Sequence, residues 1–112
     1  MRFGVIVAAS LVLATMACSN DTVTGGKSKS PQVTVNDNFF TPSSVTIAAG
    51  DTVIWIWGGN AGHNVAFTTS GAPADCPTYS SDGICIRVFP TPGTYNYVCV
   101  YHGGMTGSVT VN

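Results

Sequence analysis

The chain has 112 residues, of which 45% are hydrophobic and only 8% are charged, and its formal net charge is −1. This length suits one globular domain. From Pro31 onward a single basic residue, Arg87, stands against four aspartates, so the chain lacks the basic surface that nucleic-acid binding requires.

The first 30 residues are typical of an export signal followed by a tether. Arg2 precedes an apolar run over residues 3–13, which is too short to span a bilayer comfortably. Small residues then lead to Cys18, and this pattern resembles the signal of a bacterial lipoprotein, in which the cysteine carries the lipid. We expect a signal peptide over residues 1–17 and a flexible polar tether over residues 18–30. An ordinary cleaved signal and an uncleaved anchor are the alternatives, and all three place the domain outside the cytoplasm.

The remainder, residues 31–112, alternates short strand-like runs with turn signals. β-Branched and aromatic residues dominate these runs, and no helical period stands out. Between the runs, residues 68–82 read as a long irregular segment. We predict an all-β sandwich of about eight short strands, with the clearest runs at residues 33–35, 45–47, 52–57, 64–67, 84–89, 94–100 and 108–111.

The two histidines of the chain, with a nearby cysteine and methionine, form a pattern that suits a metal centre. His63 follows the glycine-rich stretch 58–62, whereas Cys99, His102 and Met105 are spaced three residues apart, starting near the end of the sixth run. Two imidazoles, a thiolate and a weak axial thioether are the donor set of a blue-copper centre. Each residue taken alone could be a packing residue, but their joint occurrence predicts one copper ion bound by His63, Cys99, His102 and Met105.

The four cysteines can each be assigned. Cys18 is the lipidation candidate and Cys99 the metal ligand, which leaves Cys76 and Cys85 on either side of a turn-rich segment. Because an exported chain meets oxidising conditions, we expect a Cys76–Cys85 disulfide. The alternative is a tetrahedral zinc site in which one of this pair joins His63, His102 and Cys99, and it would leave Met105 without a role.

In this order the motifs resemble those of the cupredoxin family, the small blue-copper proteins. The pieces that carry the resemblance are Phe40-x-Pro42-x-x-Val45-x-Ile47-x-x-Gly50-Asp51-x-Val53-x-Trp55, His63-Asn64-Val65, and Pro92-Gly93-Thr94-Tyr95-x-Tyr97-x-Cys99-x-x-His102-x-x-Met105. The resemblance implies a Greek-key sandwich over residues 32–111 with copper at one end. It also implies that the backbone N–H of Asn64 bonds the Cys99 thiolate, a contact that would tune the metal. The stretch that contains Cys76 and Cys85 departs from the family pattern.

The function expected from this reading is one-electron transfer between redox protein partners, by a monomer that is not an enzyme. His102, beside Gly103 and Gly104, is the expected point of electron entry and exit. A copper carrier or storage protein is the main alternative, because its ligands could be identical. An oxidase or reductase would need further copper centres with more histidines than this chain has. A metal-free interaction module is disfavoured by the complete donor set.

Overall fold

The computed structural model describes residues 30–112. The signal peptide expected over residues 1–17, the lipidation site Cys18 and nearly all of the tether lie outside the described residues. Ser30 is the exception, since its hydroxyl lies 2.6 Å from the hydroxyl of Thr52 and so rests against the domain. Within residues 30–112, no helix has the length and apolar character needed to cross a membrane.

The described residues form nine strands in two sheets, which confirms the predicted all-β sandwich. One sheet has the order β2-β1-β4-β7 and the other the order β3-β9-β8-β5-β6. The strands are β1 (Gln32–Val35), β2 (Phe40–Thr41), β3 (Ser44–Ile47), β4 (Thr52–Trp57), β5 (His63–Phe67), β6 (Cys76–Tyr79), β7 (Ile84–Val88), β8 (Gly93–Val98) and β9 (Thr106–Val111).

Two details differ from the sequence-based expectation. The segment expected to be irregular contains strand β6, which pairs antiparallel with β5 at the edge of the larger sheet. Its second residue is Pro77, which lacks an N–H for a sheet ladder and is tolerated mainly at such edges. Strand β8 ends at Val98, so Cys99 is the first residue after the strand and begins the loop.

Strand β4 supplies the centre of the core. Val53, Trp55 and Trp57 alternate with less buried isoleucines, as expected when one face of a sheet packs inward. The Trp55 ring meets those of Tyr97 and Phe67 edge-to-face, with ring centroids 5.5 and 5.8 Å apart. Such pairs add to the free energy of area burial. This aromatic cluster lies between the sheets, and Tyr97 is two residues before Cys99 on the same inward face.

The strand directions bring the predicted donors to one end of the sandwich. Strands β5 and β8 are antiparallel, with Ala66 opposite Val98 and Phe67 opposite Tyr97. The start of β5, at His63, therefore lies beside the end of β8, just before Cys99. Strand β4 ends at Trp57, where the loop to His63 begins. Its first residue, Thr52, therefore lies at the end of the sandwich opposite the donors.

A disulfide joins the edge strands of the two sheets. Cys76 on β6 and Cys85 on β7 are bonded, with an S–S distance of 2.10 Å and a Cα–Cα distance of 5.9 Å. Nearby, the Arg87 guanidinium donates hydrogen bonds of 2.7 Å to the carbonyl oxygens of Ala74 and Asp75. The strands β6 and β7 are thus fastened along the side of the sandwich where no strand hydrogen bonds link the sheets.

Replacing both disulfide cysteines should lower the stability of the domain. For a loop of this size the chain-entropy model gives about 2–3 kcal/mol, because the cross-link restricts the unfolded chain. Denaturant unfolding of the metal-free double variant Cys76→Ala/Cys85→Ala against wild type measures the difference. Equal free energies of unfolding under oxidising conditions would contradict this contribution.

Candidate metal centre

Three donor atoms meet at one end of the sandwich. The Sγ of Cys99 lies 3.7 Å from Nδ1 of His63 and 3.6 Å from Nδ1 of His102. All three donors lie within 4.8 Å of one another. Cys99 and His63 are buried, while His102 is half-buried. The two imidazole rings are tilted by 40° to each other with centroids 4.5 Å apart, and both present Nδ1 toward the same sulfur.

The loop between β8 and β9 folds back on itself through its own backbone. The Cys99 N–H donates to the carbonyl of Met105 at 3.0 Å, and the N–H groups of His102 and Met105 donate to the carbonyls of Cys99 and His102. Gly104 has a φ of +82°, a conformation that residues with a side chain rarely adopt. The turn leaves Met105 only 1% exposed and bonded to Cys99 through the backbone.

His63 is fixed on two sides. The indole N–H of Trp57 donates to the His63 carbonyl at 2.8 Å, inside the core. The far ring nitrogen, Nε2, lies 2.8 Å from the Oδ1 atom of Asp37. The imidazole is therefore held between a carboxylate and the sulfur of Cys99, and the residue that carries it is fully buried.

Asp37 is the residue at this centre that the sequence interpretation missed. Its carboxylate also accepts hydrogen bonds from the backbone N–H groups of Asn60 and Ala61. The bond with His63, followed by those two N–H groups, lowers the pKa of Asp37 to about 2. The triplet Asn36-Asp37-Asn38 looks like an ordinary turn, and nothing local links it to a histidine 26 residues away.

Asn64 connects the two ligand-bearing segments through its side chain. Its Oδ1 atom accepts a hydrogen bond of 3.0 Å from the backbone N–H of Val100, next to Cys99. That contact differs from the one that the family resemblance implied, in which the backbone N–H of Asn64 bonds the thiolate. The latter contact stays a prediction. The observed bond ties the start of β5 to the β8–β9 loop.

Strand β6 also reaches the β8–β9 loop. The hydroxyl of Thr78 lies 3.0 Å from the hydroxyl of Tyr101. Tyr101 lies between Cys99 and His102 in the sequence. Tyr79 pairs with His63 in the β5–β6 ladder, and its ring packs on Trp57 with centroids 5.0 Å apart. The segment that departs from the family pattern thus contacts both the strand that begins at His63 and the β8–β9 loop that follows Cys99.

The chemistry of this donor group suits copper. A thiol sulfur and two imidazole nitrogens are soft and intermediate donors, and they converge within bonding reach of one ion. The alternative zinc site, in which Cys76 or Cys85 supplies the fourth donor, is excluded because these two cysteines are bonded to each other. Met105 is the remaining soft donor, buried on the same loop.

Comparisons with known proteins agree with this geometry. The family of copper binding proteins of the plastocyanin/azurin type matches residues 27–112. A plastocyanin from Scenedesmus fuscus is 40% identical over 83 residues, covering 64% of this chain and 85% of that protein. An amicyanin from Paracoccus versutus is 37% identical over 76 residues, covering 65% of this chain and 57% of the amicyanin.

Solved structures of copper proteins share this fold. A purple cupredoxin from Nitrosopumilus maritimus superposes with a TM-score of 0.66 at 26% identity, over 73% of this chain and 99% of that one. A reduced amicyanin variant gives a TM-score of 0.68 at 26% identity, over 76% and 84% of the two chains. A copper-containing nitrite reductase from Thermus scotoductus, at 22% identity, shares the fold over 22% of its own length.

The fold and the donor group together define a cupredoxin. The chain belongs to the plastocyanin/azurin family of copper-binding proteins. Its cofactor is copper, one ion per chain. His63, Cys99 and His102 are grouped so that they could hold a metal ion, and Met105 is buried on the same loop.

Proposed function

We propose that this protein is an extracytoplasmic one-electron carrier whose copper ion is bound by Nδ1 of His63, Sγ of Cys99, Nδ1 of His102 and the thioether of Met105. The observation that carries the proposal is the convergence of both Nδ1 atoms on one buried sulfur. When bound, copper supplies a Cu(II)/Cu(I) couple whose potential depends on the axial ligand and on the surroundings of the cysteine sulfur.

Electron transfer requires that the ligands move little when the charge of the site changes. The residues here restrain the donors independently of any ion. Trp57 and Asp37 hold the two ends of His63, and backbone hydrogen bonds close the loop from Cys99 to Met105. Burial of His63, Cys99 and Met105 excludes water, which would otherwise have to reorganise during each transfer. These restraints support a carrier with a low cost of reorganisation.

His102 is the best candidate for the electron path. It is half-buried, whereas the His63 residue is fully enclosed. Its neighbours Gly103 and Gly104 are exposed, and a Cβ added to either would meet nothing within 4 Å. Small neighbours let a partner approach the ring closely. Val100 and Tyr101 are also exposed, which gives the loop an uncharged surface suited to a redox protein partner.

The two alternative functions receive less support. An oxidase or reductase built on a centre of this kind needs further copper centres, and both histidines of the chain already lie in this one. A copper carrier must release its ion to another protein. Here three of the four donor residues, His63, Cys99 and Met105, are at most 3% exposed, which favours retention of the ion.

We further propose that the domain is exported and anchored through a lipid on Cys18. The support is the sequence pattern around that cysteine together with the position of Ser30, which rests on Thr52 at the end of the sandwich opposite the metal centre. A flexible stretch of about 12 residues spans roughly 20 Å on average. An anchor attached there would leave the His102 end free to meet a partner.

The copper-loaded domain should be intensely blue when oxidised and should bleach reversibly on reduction. The colour requires a thiolate bound to copper, so Cys99→Ser should abolish the strong red-region band seen by visible spectroscopy. Cys76→Ala/Cys85→Ala is the control, because it changes other cysteines and should keep the band. A colourless wild-type domain that holds only Cu(I) would favour the trafficking role.

Met105 should tune the potential rather than retain the ion. Met105→Leu removes a donor but keeps an apolar side chain of similar size, so it should preserve the colour and raise the potential. Met105→Gln supplies a harder oxygen donor and should lower the potential. Voltammetry measures both. If neither variant shifts the potential, Met105 only fills space.

A charge placed beside the metal centre should slow electron exchange without changing the site. Ala61 is exposed on the loop before His63, and its backbone N–H bonds Asp37. A lysine avoids repulsion with that carboxylate, so Ala61→Lys should leave the visible spectrum intact. Desolvating the lysine at a contact should slow exchange by about tenfold, which corresponds to about 1.4 kcal/mol.

The matched control for this variant is Ala49→Lys, which makes the same change at an exposed turn preceding β4, at the other end of the sandwich. Self-exchange measured by NMR line broadening on mixed Cu(I)/Cu(II) samples compares the two. Equal slowing in both variants would place the electron path elsewhere.

A further inference from the structure

We propose that Asp37 is a positioning residue of the metal centre, which fixes His63 in the Nε2–H tautomer and fastens the loop 58–62 to the His63 imidazole. The proposal rests on the ligand assignment under the proposed function, but its first test uses metal-free protein. It extends the centre by a charged group that lies far from the donor motifs in sequence.

The tautomer follows from the chemistry of the contact. An ionised carboxylate can only accept hydrogen bonds, so the 2.8 Å contact between Oδ1 of Asp37 and Nε2 of His63 places the proton on Nε2. A neutral imidazole protonated at Nε2 has its lone pair on Nδ1. Nδ1 is the nitrogen that faces the Cys99 sulfur at 3.7 Å. Asp37 therefore selects the tautomer in which the donor atom is ready to bind.

The same carboxylate organises the loop that precedes His63. Its Oδ1 atom accepts from the N–H groups of Asn60 and Ala61 at 3.0 and 3.1 Å, and its Oδ2 atom lies 3.2 Å from the same Asn60 nitrogen. Two successive backbone N–H groups directed at one anion form a small anion-binding concavity. The carboxylate of Asp37 thus joins three donors from a segment that begins more than 20 residues away.

Gly59 is the residue that makes room for this arrangement. A Cβ built on Gly59 would overlap the carboxylate of Asp37 and also lie 3.0 Å from its backbone nitrogen. The loop can pack on Asp37 only because this position has no side chain. Gly59→Ala therefore offers a way to disturb the contact from the loop side while leaving the charge of Asp37 in place.

The negative charge of Asp37 beside the His63 imidazole also has an electrostatic consequence. The carboxylate increases electron density at the imidazole and favours the more positive metal ion, which is Cu(II). The Asp37 side chain is 42% exposed, so solvent screens part of this effect. Loss of the charge should nevertheless weaken Cu(II) binding more than Cu(I) binding and raise the potential.

Two substitutions separate the charge from the hydrogen bonds. Asp37→Asn can keep its oxygen at the Oδ1 position, where it accepts from His63, Asn60 and Ala61, but it carries no charge. Asp37→Ala removes both. Asp51→Asn is the matched control, because it removes the same charge from a turn at the start of β4, where Asp51 accepts from the N–H of Ala48.

The first test is two-bond ¹H–¹⁵N NMR of the histidine rings in metal-free protein at neutral to mildly alkaline pH. Wild type, Asp37→Asn and Asp51→Asn should show His63 in the Nε2–H tautomer. Asp37→Ala and Gly59→Ala should show a mixture of tautomers or exchange broadening. A wild-type ring protonated on Nδ1, or an Asp37→Ala ring identical to wild type, would overturn the proposal whatever metal the protein binds.

The second test measures copper affinity by competition with chelators, together with the potential. Loss of a partner to a ligating histidine typically costs 10–100-fold in affinity, so we expect a loss of this size for Asp37→Ala. A tenfold loss confined to Cu(II) corresponds to a rise in potential of about 59 mV. Asp37→Asn should raise the potential while retaining the tautomer. If both Asp37 variants match Asp51→Asn in affinity and potential, Asp37 does not act on the metal centre.

Failure of this proposal is distinguishable from failure of the proposed function. A wild-type domain without the blue band overturns the electron-carrier assignment but leaves the tautomer test valid. A blue wild-type domain whose Asp37 variants behave like the control overturns only the role of Asp37.

Discussion

The structure depends on the position of one sulfur atom. Cys99 lies immediately beyond β8, buried at 3% exposure, with an imidazole nitrogen on either side at 3.6 and 3.7 Å. A thiolate is costly to bury unless a positive charge compensates it. Two imidazoles that direct Nδ1 toward it can complete the coordination of a cation at that point. A cation bound there would supply the charge that compensates the thiolate form of Cys99.

The fold places that sulfur by means of two connections. The β4–β5 loop delivers His63, and the β8–β9 loop delivers Cys99, His102 and Met105. Both loops lie at the same end because β5 and β8 are antiparallel neighbours. The core beneath is stiff, since Tyr97 packs on Trp55 and Phe40 with ring centroids 5.5 and 4.8 Å apart. A rigid base of this kind allows short loops to hold their donor atoms in fixed positions.

The parts of the structure that could be predicted from sequence are those encoded locally. The alternation in Thr52–Trp57 specifies a strand with a buried face, and the spacing from Cys99 to Met105 specifies a turn that can return donors to one point. His63 required one further step, because it is the other histidine of the chain. The recurrence of short strands and turns predicted the sandwich, and the family resemblance added its Greek-key arrangement and the position of copper at one end.

The parts that were missed depend on contacts between distant segments. Strand β6 has a proline and few β-branched residues, so it exists because β5 offers an edge and Cys85 a cross-link. Asp37 looks like a turn residue until the parallel pairing of β1 with β4 brings the ends of those strands together beside His63. The need for glycine at position 59 can be recognised only once Asp37 is known to lie beside it. None of these relations has a local signature.

The most direct test of the account is X-ray absorption spectroscopy at the copper edge, on the domain from Pro31 onward in both oxidation states. We predict one short copper–sulfur bond and two imidazole nitrogens in each state, with bond lengths that change little on reduction, because the protein holds all three donors. A shell of nitrogen and oxygen atoms without a short sulfur bond, or a ligand lost on reduction, would contradict a restrained centre built for electron transfer.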